Sequence, residues 1–359
     1  MAQLDSVPPA LVIVYACVSY DLPQLIAGLR GVTGATPLVG ASSSGQFHDG
    51  GVTIGRGVSV LVLAGGEYRF GVASGRGLAA DAFALGCDLA RAAREAVGAD
   101  RPEHAALLLF SDGGYHGDPQ AMLSGIYRVT GAAVPVVGGS ASDGGVLTGT
   151  FVFHDDEVLT DGAVAVWIGS TRPLKVACAH GWRANGLPMM VTQVEGQIVT
   201  EIGGRPAAEV FRENFSMDTP DRGTVHTEVN ATHAFGLVEP DGTEVVRGAF
   251  IDPEGVLRTW VPLPAYSAVR VVSCRPDDLL EATEQVVAQA LGEREAGVLL
   301  AFGCTARMEI LGDRRDEEAK RLQAAAGAVP TFGFYTYGEF ARTTNVAGYH
   351  NAAITAIAL

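Results

Sequence analysis

The sequence predicts an α/β fold of two pseudo-repeated domains, whose mixed sheets are flanked by helices and contain three related β-α-β-turn-β units. The first observation is a glycine-rich stretch at 333–340, GFYTYGEF, which recurs in relaxed form at 40–47 and 138–144. The second is that each copy follows a proline and lies between apolar runs of strand length. The third is a helix-length spacer between each upstream strand and its turn. Because this succession occurs three times, we interpret it as a repeated supersecondary unit.

The first unit is predicted near the N-terminus. Its elements are a buried strand at 11–15, a helix at 21–30, the turn at 40–47 and a closing strand at 58–63, followed by a strand at 68–73 and a helix at 78–97. Gly65 and Gly66 separate the last two strands, and such a glycine pair between apolar runs is typical of a hairpin turn. We therefore expect strands 58–63 and 68–73 to pair with each other.

The second unit repeats this order further along the chain. Its elements are a strand at 105–110, a helix at 120–129, a short strand at 134–138, the turn, and antiparallel strands at 150–153 and 163–168. The apolar segment 173–179 is predicted to continue the same sheet.

The composition changes near Gly181, after which the strands are shorter and more polar. We predict one domain at 10–180 and a second at 181–359, sharing an interface. The second domain is predicted to contain helices at 206–215 and 276–291, and Val298 opens the third unit.

The charge and cysteine content exclude several classes of protein. The chain has 25 Lys and Arg against 40 Asp and Glu, a formal net charge of −15, which opposes binding to nucleic acid and to anionic membranes. The N-terminal residues form no apolar signal segment, and the apolar runs are too short to span a bilayer. The 5 cysteines are odd in number and form no C-x-x-C pair. We expect a cytoplasmic protein with neither nucleic acid nor membrane as its partner.

The candidate ligand site lies where the strands of the three units end. Ligands of open α/β sheets bind beyond the carboxyl ends of the strands, and small residues there let backbone N–H groups approach a ligand. Three converging turns would line one polar pocket, whereas the alternative is that the glycines only close the turns. The candidate ligand-binding residues are Ser42, Ser43, Ser44, Asp112, Ser140, Asp143, Cys304, Arg307, Tyr335, Tyr337 and Glu339.

Arg307 and Glu339 are the most specific pair among these residues. A guanidinium can hold a carboxylate through two hydrogen bonds, and a carboxylate can hold an ammonium, so together they could bind an amino acid or another small zwitterion. The alternative is that they form a structural salt bridge with each other. Asp112 and Asp143 follow neighbouring strands and could hold a metal or an amine, although capping and turn roles are common for such residues.

Cys304 and two histidines raise the question of catalysis or haem binding. Cys304 would need a base to form a thiolate, and His350 lies near the end of the same unit, but a buried inert thiol is the alternative. An axial haem histidine needs no motif, which leaves His350 and His233 as candidates beside purely structural roles. No phosphate-binding loop, hydrolase elbow or metal-binding histidine pair occurs, and this favours binding over turnover.

The motifs taken together resemble the FIST family of paired sensory domains. The N-terminal half resembles it in the segments 40–46, 111–113, 138–143, 150–153 and 161–166. The C-terminal half resembles it in the segments 204–207, 302–304 with Arg307, 333–339 and 350–351. This sequence departs from the family pattern at Ala41, where a Cys is common, and at Gln46, where an acid is common.

The resemblance implies a stand-alone sensory protein that binds a small polar ligand, an amino acid or a derivative. Some bacterial members of the family bind haem and sense nitric oxide, so haem is the cofactor that the resemblance implies as an alternative. The chain leaves no room for a kinase or cyclase domain, and we therefore expect a separate partner protein of that kind to produce the output. The sequence leaves the oligomeric state open.

Overall fold

The fold is α/β, with two domains and mixed sheets flanked by helices, as the sequence predicts. We describe it from a computed structural model, which covers residues 7–99, 101–114, 117–146, 149–214, 233–293, 295–342 and 348–359. The segment 216–229 has no hydrophobic periodicity, which predicts an exposed loop, and it lies outside these described residues.

The secondary structure follows the chain in three groups. The N-terminal group contains β1 (Pro9–Ala16), α1 (Leu22–Thr33), β2 (Leu38–Ser42), β3 (Gly45–His48), β4 (Gly51–Ile54), β5 (Val58–Ala64), β6 (Tyr68–Arg76), α2 (Leu78–Ala96), β7 (His104–Ser111), α3 (Pro119–Thr130), β8 (Val136–Ser140), β9 (Val152–His154), β10 (Glu157–Leu159) and β11 (Gly162–Ser170). The middle group contains β12 (Val176–Ala179), β13 (Arg183–Glu195), β14 (Ile198–Ile202), β15 (Arg205–Pro206), α4 (Ala207–Asn214), β16 (His233–Val238), β17 (Glu244–Arg247), β18 (Ala249–Ile251), β19 (Leu257–Thr259) and β20 (Ala268–Ser273). The C-terminal group contains α5 (Pro276–Leu291), β21 (Leu299–Cys304), α6 (Thr305–Leu311), a 3-10 turn (Gly312–Arg314), α7 (Arg315–Ala326), β22 (Thr331–Thr336), β23 (Glu339–Arg342), β24 (Tyr349–His350) and β25 (Ile354–Ala358).

The three predicted units are confirmed as three parallel strand pairs, each joined by helical segments. β1 pairs in parallel with β2, β7 with β8, and β21 with β22. The closing strand of each unit, β5, β11 or β25, lies antiparallel on the other side of the first strand. Short apolar runs without a polar face form the first and second strands of each unit, because both faces of these strands are covered.

The second strand of each unit has a glycine at an equivalent position, because the backbone of the neighbouring strand leaves no room there for a side chain. The glycines are Gly40, Gly138 and Gly333, and a Cβ atom on them would lie 1.8, 2.0 and 1.8 Å from the carbonyl oxygens of Val14, Leu109 and Ala301. Each of these carbonyls belongs to the residue directly opposite in the parallel partner strand. The repeat in sequence therefore reflects the same backbone approach in all three units.

The three units exchange hairpins in a cycle. The hairpin β3–β4, which follows the turn of the first unit, pairs with β22 of the third. The hairpin β9–β10 of the second unit pairs with β2 of the first, and β23–β24 of the third pairs with β8 of the second. Each of these three sheets is therefore completed by the chain of another unit. Two of the three sheets contain strands from both sides of the predicted division at residue 181.

The inner faces of these three sheets share one apolar core. Aromatic rings from all three units meet there, with centroid separations of 4.3 Å for Tyr15 and Phe334, 5.9 Å for Phe302 and Phe334, and 6.1 Å for Phe110 and Phe302. All four side chains are fully buried. Burial of this much apolar surface between the sheets holds the three units together.

Two strand pairings expected from the sequence are wrong. β5 and β6 do not form a hairpin, because β5 pairs with β1 in the first sheet and β6 pairs with β11 in the second. The segment containing β12 does not continue the sheet of the second unit, because β12 pairs with β25 of the third. In both places the turn directs the chain to a neighbouring sheet, where the strand pairs antiparallel with the closing strand of the next unit.

The residues between β12 and α5 build a separate antiparallel sheet. Its order is β17-β16-β20-β13-β14-β19-β18, with β15 on β14, and α4 packs against its apolar side. The chain then returns through α5, which begins at Pro276, has Asp277 and Asp278 in its first turn and ends before Gly292. Proline at the start and carboxylates near the positive end of the helix dipole are favourable there.

Candidate functional site

The three glycine-rich corners meet, and they hydrogen bond directly to one another. Ser42 Oγ donates to Ser142 O at 3.0 Å, and Ser44 N donates to Ser142 Oγ at 2.8 Å. Ser142 Oγ in turn donates to Tyr335 O at 2.5 Å, which links the second corner to the third. Ser140 N donates to Gly338 O at 2.8 Å. The corners therefore converge as expected, and their own polar groups occupy the meeting point.

The other predicted residues of the corners also bond to protein atoms. Ser43 Oγ accepts a hydrogen bond from Gln46 Nε2, and Tyr337 OH donates to Asp143 Oδ1. Asp112 accepts from Thr150 Oγ1 and from the backbone of Gly114 and Asp161. These bonds tie loops to the ends of the strands, as expected for turn and capping residues.

Arg307 is fully buried and is bound by protein groups. Its Nη2 donates to Glu318 Oε1 at 2.5 Å, to Leu279 O at 2.8 Å and to Thr283 Oγ1 at 2.8 Å. Tyr335 OH donates to the other oxygen of Glu318 at 2.7 Å. The carboxylate that pairs with Arg307 within the described chain is thus Glu318 of α7, and the network fastens α5, α6 and α7 to the third sheet.

Glu339 is a fully buried carboxyl beside the Cys304 thiol. Its Oε1 accepts from Thr336 Oγ1 at 2.5 Å, and its Oε2 accepts from Ala353 N at 3.1 Å. Burial raises the pKa of Glu339 to about 8, so the carboxyl is largely protonated at neutral pH. Burial and the neighbouring Glu339 raise the pKa of Cys304 well above its usual value. The thiol is therefore protonated as well, which does not favour a nucleophilic role.

A polar cleft of about 550 Å³ opens beside the third unit. Its walls come from the end of β12 through the first residue of β13, from the loop before β17 and the start of that strand, and from α5 and β24. The lining residues include Cys178, His180, Trp182, Arg183, Asp241, Thr243, Glu244, Asp278, Glu281, Gln285 and His350. This volume lies within the range of small-ligand pockets.

The hydrogen bonds of His350 and His180 indicate which ring nitrogen of each histidine carries the proton. His350 Nε2 lies 2.9 Å from Ala341 O, so it carries the proton and leaves Nδ1 with a free lone pair. Burial lowers the pKa of His350 to about 4. His180 Nδ1 accepts from Trp182 N at 2.9 Å, and burial followed by the charge of Arg307 lowers the pKa of His180. Both rings are therefore neutral at physiological pH.

Carboxylates dominate the charge of the cleft. Asp241, Glu244, Asp278 and Glu281 line it together with one guanidinium, that of Arg183. Arg183 Nη2 lies 2.5 Å from Asp278 Oδ1 and 3.8 Å from Glu281 Oε2. The electrostatic potential of such a site attracts cationic groups.

Arg307 and Glu339 lie directly behind the walls of this cleft. Arg307 Nη1 is 3.4 Å from the carbonyl oxygen of His180, and Glu339 is the cross-strand partner of His350. Burial, aided by the charge of Glu339 and opposed by that of Arg307, raises the pKa of Cys178 to about 12. Arg307 and Glu339 therefore contact the lining residues of the cleft from the protein interior.

The residues of the cleft do not suit a haem. A haem needs wide apolar walls and cationic partners for its two propionates, whereas these walls carry four carboxylates and an arginine already paired with Asp278. His350 could offer Nδ1 to a ligand, while His233 at the start of β16 is not among the described lining residues. Among the described residues, no group of three or more His, Cys, Asp or Glu side chains is arranged to hold a metal ion.

The sequence did not single out His180, Glu318 or the acidic wall of the cleft. These residues come from stretches far apart in the chain, and Glu318 lies on a helix whose charged sequence is typical of a solvated surface. The burial of Glu318 could have been suspected from the sequence, because a helix that packs against a buried strand directs some of its side chains toward the protein interior.

The fold and the cleft define the chain as a two-domain α/β protein built from three interlocked units. It belongs to the FIST family: the profile of the FIST N domain matches residues 10–205, and the profile of the FIST C domain matches residues 207–342. These two matches confirm the predicted family, and FIST domains are associated with sensory signalling.

The relatives found by sequence come from bacteria and an archaeon. The uncharacterized protein Mb0898c of Mycobacterium bovis is 30% identical over 219 residues, which are 57% of this chain and 55% of that protein. The uncharacterized protein MT0656 of Mycobacterium tuberculosis is 29% identical over 266 residues, 70% of this chain and 66% of that protein. The uncharacterized protein MJ1623 of Methanocaldococcus jannaschii is 30% identical over 83 residues, 23% of this chain and 16% of that protein. The matches span little more than half to about two thirds of the mycobacterial relatives.

None of the described helices combines the length and apolar character that a transmembrane span requires.

Proposed function

We propose that this chain is a cytoplasmic sensory protein that binds a small amine-bearing ligand, an amino acid or an amino-acid derivative, in the acidic cleft. The signal would pass to a separate partner protein such as a kinase or a cyclase. The observation that carries the proposal is the cleft of about 550 Å³ with its four carboxylates.

The chemistry of the walls favours an ammonium group. In the part of the chain that the structure describes, Glu244 forms an ion pair with Arg270 at 3.5 Å, and the exposed Glu281 lies 3.8 Å from Arg183. Each carboxylate therefore has a second oxygen that can accept from a ligand. Trp182 lines the same cleft, and the face of an indole attracts a cation. An ammonium between these groups would satisfy carboxylates that otherwise repel one another.

The neutral histidines add hydrogen-bonding specificity. His350 Nδ1 can accept from an N–H or O–H donor of the ligand, because its Nε2 proton is directed to Ala341 O. Arg183, the guanidinium of the cleft, is paired with Asp278, so we expect the amine of the ligand, more than a carboxylate, to be the group that the cleft selects.

A ligand screen on the full chain tests the proposal. We expect amino acids or their amine derivatives to raise Tm, and Glu244→Gln and Glu281→Gln to abolish that rise. Glu95→Gln, an exposed position on α2, is the matched control and should keep it. The proposal would be overturned if no amine-bearing compound shifted Tm, or if the shift survived both cleft substitutions.

A cysteine-dependent enzyme is not favoured, because burial keeps the Cys304 thiol protonated. We expect Cys304 to react with iodoacetamide no faster than an ordinary buried thiol. Rapid and selective labelling of Cys304 at neutral pH would reopen that possibility.

A further inference from the structure

The closing strands of the three units differ in whether another strand covers their outer edge. β6, which follows β5 in the chain, lies antiparallel on β11 of the second unit. β12, which follows β11, lies antiparallel on β25 of the third unit. Within the described residues, no strand takes the equivalent place beside β5 of the first unit.

The burial of the closing strands follows this difference. Every residue of β11 and of β25 is buried. In β5 every residue is at least partly exposed, and Val60 is 40% exposed. Leu61 and Leu63 pack on the central core but remain partly open to solvent. The outer edge of the closing strand is therefore covered by another strand in the second and third units but not, within the described residues, in the first.

The sequence of β5 lacks the features that normally protect a sheet edge. Val58–Ala64 reads VSVLVLA, without a charge, a proline or a glycine. By contrast, the edge strand β6 carries Arg69 and Arg76. Unprotected apolar edges are templates for pairing with another strand.

We propose that β5 pairs with β5 of a second copy of this chain, antiparallel across a twofold axis. The strands that cover β11 and β25 are antiparallel to them, and a twofold axis normal to the sheet brings two identical strands together in this same orientation. The interface is isologous and closed, and it joins two sheets of the first unit into one continuous sheet.

The charges at the two ends of β5 favour antiparallel pairing of two copies with the strands centred near Leu61. Arg56 precedes the strand and Glu67 follows it, and in an antiparallel pair the start of one strand faces the end of the other. Opposed residues of an antiparallel pair point to the same face of the sheet, so a twofold normal to the sheet must lie at a residue that faces its own copy, such as Leu61. With Leu61 opposite Leu61, Arg56 of one copy lies opposite Gly66 of the other and next to Glu67. The net charge of −15 on each chain opposes association over longer distances, so the dimer should strengthen as salt screens that repulsion.

Light scattering and sedimentation of the full chain across a dilution series test the proposal. We expect a dimer of twice the 37.3 kDa chain mass. Val60→Lys should raise the concentration at which the dimer dissociates by more than about tenfold, because dimer formation would remove water from the lysine ammonium at the interface. Val32→Lys, at a position 71% exposed on α1, is the matched control and should leave the dimer intact. A monomer at every concentration, or equal dissociation of wild type and Val60→Lys, would overturn the proposal.

Hydrogen exchange of the unmodified chain gives a second measurement that does not depend on the folding of a variant. The outward amides of β5 should exchange more slowly at concentrations where the dimer forms, whereas β6 should not change. Arg56→Glu should weaken the dimer, and adding Glu67→Arg should restore it if these two ends of β5 lie beside each other across the interface. Exchange in β5 that is unaffected by dimer formation would contradict the pairing.

Discussion

The buried pair of Arg307 and Glu318 predicts a large loss of stability when only the arginine is removed. Arg307→Met keeps much of the aliphatic volume but removes a guanidinium that donates to Glu318, Leu279 and Thr283. Glu318 would remain with Tyr335 OH and Thr283 Oγ1 as donors at 2.7 and 3.1 Å, without a countercharge.

The magnitude follows from this uncompensated charge. Both side chains have 0% exposure, so water cannot replace the lost partner. Breaking such a pair from one side lowers the free energy of unfolding by about 3–5 kcal/mol. The double variant Arg307→Met with Glu318→Leu removes both charges and should lose less than about 2 kcal/mol, mainly because Tyr335 OH loses its acceptor.

Urea denaturation of ligand-free protein measures both effects. A single variant as stable as wild type would refute the structural role of Arg307 and would favour a guanidinium held free for a ligand. A double variant that is less stable than the single one would refute the electrostatic explanation.

Two further predictions concern the repeated glycines and the buried carboxyl. Alanine at Gly40, Gly138 or Gly333 should lower the free energy of unfolding by about 3 kcal/mol or more, because the new Cβ would overlap a carbonyl oxygen. Gly28→Ala in α1 is the control in the same urea assay. It should be neutral or stabilising, because no atom lies within 4 Å of the added Cβ. Because the folded pKa of Glu339 is raised from 4.5 to about 8, its contribution to stability is fully present below the lower value and is lost as pH rises to the upper one. Wild-type stability should therefore fall by roughly 1 kcal/mol per pH unit across this window relative to Glu339→Gln, and parallel pH profiles of the two proteins would contradict the shift.

The repeat could be predicted because its signals are local. Each unit combines an apolar strand, a helix and a glycine that must approach the neighbouring backbone, as Gly333 does at Ala301. The exchange of hairpins could not be predicted, because it depends on pairings between residues such as Phe47 and Gly333 that are far apart in sequence. The wrong hairpin of β5 and β6 has the same origin, since a glycine turn fixes a change of direction but does not choose the sheet that the next strand joins.

The site was predicted less completely than the fold. Sequence reasoning located Arg307 and Glu339 near the ends of strands, where the structure places them behind the cleft. It could not find the acidic wall, because Glu244 and Glu281 come from a strand and a helix that meet only in the folded chain. Their charges look like ordinary surface residues until the cavity between them is known.

The exchanged hairpins also bear on the order of events during synthesis. β3 leaves the ribosome long before β22, the strand on which it pairs, so the first unit must wait with an unpaired hairpin until the third has been made. Contacts of such long sequence separation slow folding and extend the exposure of apolar strands. A chaperone that holds the N-terminal hairpin would therefore be expected to raise the yield of this protein more than one that acts after release.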